Sequence, residues 1–250
     1  MRNDTSRQIF VILTILVTIT INILANALPL NGLNTGEISD RFQVYFVPAG
    51  YVFSIWGLIY VGLLAYAVFQ ALPAQRNNPR LRATGWWVVL GGLANSAWIF
   101  LWHYEQFVGT LGAMLILLAT LIVVYLRLGT GRTSIPAAET WAVRVPFSIY
   151  LGWITVATVA NATDVLAFLG WNGFGLAPET WMVIVLAAVL VIAVLMNFTR
   201  RDVAYTAVLL WALAGIGVKF PAAGIVTIAT WVTFALVVLT LAAAYLVRKK

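Results

Sequence analysis

Eight stretches of about 20 mostly uncharged residues run through this chain, near 9–28, 50–72, 84–104, 107–126, 143–163, 180–198, 203–218 and 222–247. A helix of that length crosses a hydrocarbon layer of roughly 30 Å, so each stretch reads as a membrane span. The seventh is the shortest, because Gly215, Gly217 and Lys219 crowd its end and leave about 16 clean residues. Composition points the same way. The chain is 62% hydrophobic and 9% charged, with a mean hydropathy of +0.96, more apolar side chain than a soluble core of 27.4 kDa encloses. The expected fold class is an all-α, polytopic transmembrane helix bundle of about eight spans.

Charge supplies an orientation. With the N-terminus in the cytoplasm, thirteen of the fifteen basic residues fall in inner segments: Arg2, Arg7, Arg76, Arg80, Arg82, Arg127, Arg132, Arg144, Arg200, Arg201, Arg248, Lys249 and Lys250. Only Arg41 and Lys219 fall outside. An even span count with both termini inside satisfies the positive-inside rule in every loop. The acids lean outward, at Glu37, Asp40, Glu105, Asp164 and Glu179. A pI near 10.0 is thereby explained by topology, and no nucleic-acid partner is expected. The chain contains no cysteine, so disulfides, thiolate metal sites and thiol nucleophiles are excluded. Arg2, Arg7 and Ala25-Asn26-Ala27 imitate a cleavable signal peptide. The apolar run exceeds the usual h-region of about 7 to 15 residues, so a retained first helix is expected. The expected setting is the inner membrane of a bacterial cell.

The longest polar connection, residues 30–49, carries turn chemistry at Asn31-Gly32, Asn34 and Gly36. It is too polar for lipid and too short for a domain. A loop of this size either folds back over its helices as a lid or is merely solvated, and composition leaves both open.

Tryptophan placement carries more information. Trp86, Trp87, Trp141, Trp102, Trp171 and Trp181 lie near span ends, where an aromatic belt is expected, whereas Trp56, Trp98, Trp153, Trp211 and Trp231 fall within spans. Trp56 and Tyr60 are spaced i, i+4; Asn95, Trp98 and Trp102 follow i, i+3, i+7; Trp153, Ala157 and Asn161 follow i, i+4, i+8. A carboxamide in hydrocarbon is costly unless hydrogen-bonded, so Asn95 and Asn161 are expected to face the bundle interior and bring their tryptophans with them. Either an aromatic-walled cavity beneath the long loop or plain interhelical packing would satisfy that spacing.

The stretch "FVPAGYVFSIWGLIY", residues 46–60, resembles the start of the second helix in the TspO/MBR family of tryptophan-rich sensory or translocator proteins, W-x-P-P-x-W-V-F followed by W-x-x-L-Y. Phe46, Pro48, Tyr51, Val52 and Phe53 match its first half by type or identity, and Trp56 and Tyr60 match its second after a one-residue deletion. "LANSAWIFLWH", 93–103, is similar to the family's A-L-N-x-x-W-S-x-x-F-F and places Asn95 and Trp98 on its Asn and Trp. "PFSIYLGWITVATVAN", 146–161, resembles P-Y-x-x-W-x-x-F-A-x-x-L-N, with Trp153, Ala157 and Asn161 in register, Tyr150 just ahead and Pro146 about one turn early.

The resemblance implies a five-helix core over residues 1–169 with three additional helices over 170–250. It also implies a pocket near the first loop for flat hydrophobic rings such as porphyrins, haem or sterols. Its ligand-binding set is Phe46, Pro48, Phe53, Trp56, Tyr60, Asn95, Trp98, Trp102, Tyr150, Trp153, Ala157 and Asn161. Sensing, transport and tetrapyrrole turnover are the roles proposed for the family. Gln43-Val44, Phe46 and Ala49 depart from its loop pattern, so a different ligand selection follows. The extra helices would enlarge the cavity, build a transport path or form the surface of a homodimer.

No conventional catalytic constellation is present, no covalent cofactor or metal site is expected, and an enzymatic role is not favoured. The sole histidine, His103, reads as an interfacial residue beside Trp102, with a haem edge or propionate as the alternative. The favoured reading is a binding or sensor protein with membrane lipid and a hydrophobic small molecule as partners. A secondary transporter of a small apolar or amphipathic solute is the alternative, set lower because the spans show no coupled ionisable residues.

Overall fold

The computed structural model describes residues 2–28 and 30–247, with side chains from residue 4 onward. Arg248, Lys249, Lys250 and the side chain of Arg2, counted above toward the inner charge, lie outside the described residues. The described chain is helical, without a strand among its residues. Its helices are α1 (Arg2–Ala27), α2 (Thr35–Ser39), α3 (Ile55–Ala71), α4 (Pro79–His103), α5 (Phe107–Leu128), α6 (Ala137–Glu139), α7 (Val145–Phe168), α8 (Pro178–Thr199), α9 (Val203–Lys219) and α10 (Ile225–Leu246).

Among the described residues seven helical segments are long and apolar enough to span a membrane, and α9, at 17 residues, is the shorter eighth. The fifth span runs from Ala137 to Phe168, longer than the sequence suggested, because α6 joins α7 through a π-helical turn at Thr140–Arg144. Pro146 has no N–H to give, and the wider turn, closed by Val145 N–H to Thr140 O, carries the chain past it without a break.

Helices α1, α4, α5, α7 and α3 close a five-membered ring, each touching the next and α3 returning to α1. α9 docks on α7 and on the 3-10 turn Gly50–Ser54 that leads into α3, while α10 packs on α8 and α9. Small residues permit these approaches, as expected where lipid supplies no hydrophobic drive between helices. A methyl on Gly62 would sit 2.9 Å from Pro146 Cβ, and one on Gly215 would sit 2.2 Å from Val52 Cγ2. Buried amides bind the layers together: Asn197 meets Thr240 of α10 (3.0 Å) and accepts from Thr206 of α9 (2.6 Å).

Among the described residues the basic side chains other than Arg41 and Lys219 gather at one end of the bundle. Arg7 donates to Leu81 O (2.8 Å) and Arg76 O, Arg127 to Ala83 O, Arg200 to Thr130 O and Arg201 to Ala244 O. Arg144, inside the fifth span, is buried and donates to Leu128 O from both Nε and Nη2 (3.1 and 2.8 Å). Backbone carbonyls of the connections and of the helix ends therefore supply the partners that lipid would not, Leu128 O and Ala244 O being among those left open in a last helical turn. Trp86 and Trp141 stand exposed near the same end, as interfacial anchors do. Trp211 and Trp231, set apart above as within-span tryptophans, sit half-exposed on α9 and α10 and serve packing: Trp211 Nε1 donates to Val52 O (3.0 Å) in the turn before α3, and Trp231 lies against Gly217 of α9.

Candidate ligand cavity

At the opposite end of the ring the three aromatic faces meet. Trp56 stacks on Tyr60 (centroids 5.7 Å apart, planes 27°) and meets Trp153 edge-to-face (6.3 Å, 84°). Phe53 meets Trp153 edge-on at 5.7 Å, and Trp98 lies parallel to Trp102 at 5.2 Å and 17°. These are the offset and edge-to-face arrangements that ring quadrupoles favour. Trp98 Nε1 donates to Asn161 Oδ1 (3.2 Å), and Asn161 Nδ2 donates to Thr110 Oγ1 (2.8 Å), which joins α4, α7 and α5 in one chain.

The rings line two adjoining chambers. The larger, about 530 Å3, opens between α1, α2, α3 and α4 and is bounded by Asn22, Asn26, Phe53, Trp56, Tyr60 and Trp98. The smaller, about 50 Å3, lies between α3, α4 and α7 and shares Thr35, Phe53, Trp56 and Trp98 with it. Pro48, Trp102, Trp153, Ala157 and Asn161 complete the inner chamber. Nine of the twelve residues expected at the site thus border one chamber or the other.

The other three lie elsewhere. Asn95 is buried behind the wall, accepting from Asn22 Nδ2 (2.7 Å) and donating to Tyr150 OH (3.0 Å), so Asn95 and Tyr150 brace α1, α4 and α7 instead of facing the cavity. Phe46 borders a separate cavity of about 360 Å3 next to Trp171 and Trp181. The cause is its neighbour: Tyr45 donates its hydroxyl to Glu179 at the start of α8 (2.8 Å), pulling this part of the loop toward α8. That bond holds the Tyr45 phenol protonated above its ordinary range.

The long loop is folded down over the chambers, which decides between the two readings left open by composition. α2 begins with a capping box in which Asn34 Oδ1 accepts from Glu37 N and Glu37 Oε2 from Asn34 N. Thr35 N donates to Asn26 Oδ1 (3.2 Å), Trp102 Nε1 to Thr35 O (3.2 Å), and Lys219 pairs with Asp40 (3.0 Å). His103 is the centre of the clamp. Its Nδ1 lies 3.1 Å from Leu30 O and its Nε2 3.1 Å from Thr35 Oγ1, while Asn31 Nδ2 donates to its carbonyl. A carbonyl only accepts, so Nδ1 carries the proton, and in the neutral ring Nε2 accepts from the threonine hydroxyl. His103, at the outer end of α4, is accordingly a buried lid fastener. The loop that buries it comes from far away in sequence.

Sequence reasoning also passed over Asn22, Asn26 and Asp164. The two amides are spaced i, i+4 in the first span, and of the two only Asn26 was considered, as part of a cleavage-site imitation. Asp164, counted only among the outward acids, is buried near the end of α7 and borders the inner chamber, three residues beyond Asn161. Two buried polar atoms of this chamber, Trp153 Nε1 and Asp164 Oδ1, have no hydrogen-bond partner. Asp164 and Arg144 are thus buried ionisable groups within the fifth span, one toward each end of it.

A family model described as TSPO-like protein matches residues 8–245, a stretch that takes in α8, α9 and α10 as well as the five-helix ring. No curated protein and no solved structure matches the chain.

Proposed function

We propose, for this integral membrane protein that belongs to the TSPO-like protein family, a binding function: it takes up a flat hydrophobic ring, tetrapyrrole-like in shape, in a sensing or ligand-handling role. One observation carries the reading. Trp56, Trp98 and Trp153 turn toward a common interior and wall a cavity whose larger chamber, about 530 Å3, falls within the range of small-molecule sites. Parallel and edge-on indoles offer flat surfaces for stacking, and the lid excludes water from above.

The ring is held as a ligand and not through iron at His103, because both ring nitrogens of that residue already serve the lid. Under the positive-inside rule the basic end faces the cytoplasm of a bacterial cell, which leaves lid and cavity on the far side. The test is porphyrin titration of the detergent-solubilised protein, read by quenching of tryptophan fluorescence. Quenching that weakens in Trp56→Phe, Trp98→Phe or Trp153→Phe supports the reading, and quenching unchanged in all three refutes it.

Asp164 favours a second reading, a secondary transporter of an amphipathic solute, since buried acids near a substrate path serve ion coupling. Solute flux into liposomes driven by an imposed proton gradient separates the two.

A further inference from the structure

The charges around the cavity are one-sided. Glu37 and Asp40 border the larger chamber and Asp164 the smaller, whereas among the described residues neither chamber is bordered by a lysine or arginine. Lys219, the basic residue that ends α9, is held on Asp40 at 3.0 Å. After that pairing two carboxylates remain without a compensating cation at the cavity wall. Glu37 at least caps α2, but Asp164 Oδ1 is buried and bonded to nothing.

A buried carboxyl oxygen without a partner leaves its desolvation cost unrecovered, and a donor that meets it recovers that cost. An anionic ligand would add to the cost by like-charge repulsion in a medium that screens weakly. We infer that the cavity selects a flat apolar ring bearing a protonated amine or N–H donor, which reaches Asp164, and discriminates against rings carrying free carboxylates. This rests on the ring-binding reading above and names the ligand's charge. Trp153 Nε1, the other unpartnered atom of the chamber, offers a donor to an acceptor on the same ligand.

The experiment uses one ring in three charge states: protoporphyrin IX with its two carboxylates, its uncharged dimethyl ester, and the derivative whose carboxyls are converted to amides bearing tertiary amines. Each is titrated into the full-length protein in neutral detergent. The expected order of affinity is amine, then ester, then free acid. Asp164→Asn is expected to weaken the amine roughly tenfold or more, the scale of a charge-assisted bond, while leaving the ester within about twofold. Asp164→Glu, which keeps the charge, is expected to retain the order.

If the three ligands bind equally, or the free acid binds tightest, the charge inference falls and the ring-binding reading stands. If none quenches, the ring-binding reading itself falls. Should Asp164→Asn weaken ester and amine alike, Asp164 serves the fold and not the ligand, which also overturns the inference.

Discussion

Removing the imidazole of His103 should loosen the lid by an amount that follows from its bonds. Two side-chain hydrogen bonds disappear in His103→Ala, to Leu30 O and to Thr35 Oγ1, both 3.1 Å. At about 1 kcal/mol net for each, the closed lid loses about 2 kcal/mol, so the open population rises roughly 30-fold. Water entering the void can satisfy Leu30 O and lower the effect to about 1 kcal/mol, or roughly fivefold. The bonds from Trp102, Asn31 and Asn26 remain, so the lid opens locally and the ring of helices stays folded. The chain has no cysteine, so Ser39→Cys, buried at the end of α2, provides the sole thiol. Its labelling by a bulky polar maleimide tracks the open fraction when closing is fast. The expected rise in His103→Ala over the His103-containing reporter is about 5- to 30-fold, with His103→Gln in between. Arg41→Gln, which breaks an exposed ion pair with Glu105, should change the rate less than about threefold. A rise below threefold in His103→Ala would refute the assignment of His103 as the fastener.

Gly215→Ala should destabilise the docking of α9. The added methyl would meet Val52 Cγ2 at 2.2 Å, and overpacking of this kind costs about 1–3 kcal/mol, read as a lower thermal midpoint in detergent. Asp202→Ala should lower the midpoint further. This buried carboxylate accepts from Tyr125 OH (2.9 Å), Ser148 Oγ and Tyr205 N (3.1 Å), joining α5, α7 and α9, and bonds to a charged group contribute about 1.5–3 kcal/mol each, short of additively. A midpoint within 1 °C of the parent for either variant would count against the contact in question.

Membrane residence, the polytopic all-helical bundle and the segregation of most basic residues to one end were legible along the chain, because lipid penalises every unpaired charge and peptide group whatever the neighbours are. The inward faces of Trp98, Trp153 and Asn161 were legible for the same reason, a buried amide having to find a partner within reach of its own helix face. Contacts made by remote segments could not be read so. Whether Asn95 faces a ligand or a neighbour depends on Asn22 of α1 and Tyr150 of α7 arriving beside it. Phe46 leaves the main cavity because Tyr45 finds Glu179, 134 residues away. His103 reads in sequence as an interfacial residue and Asp164 as one of the outward acids, and their burial comes only with the tertiary fold. Solvation by lipid acts on each residue alone and so is written in one dimension. Burial of a polar group depends on which distant chain covers it, and only the assembled bundle decides that.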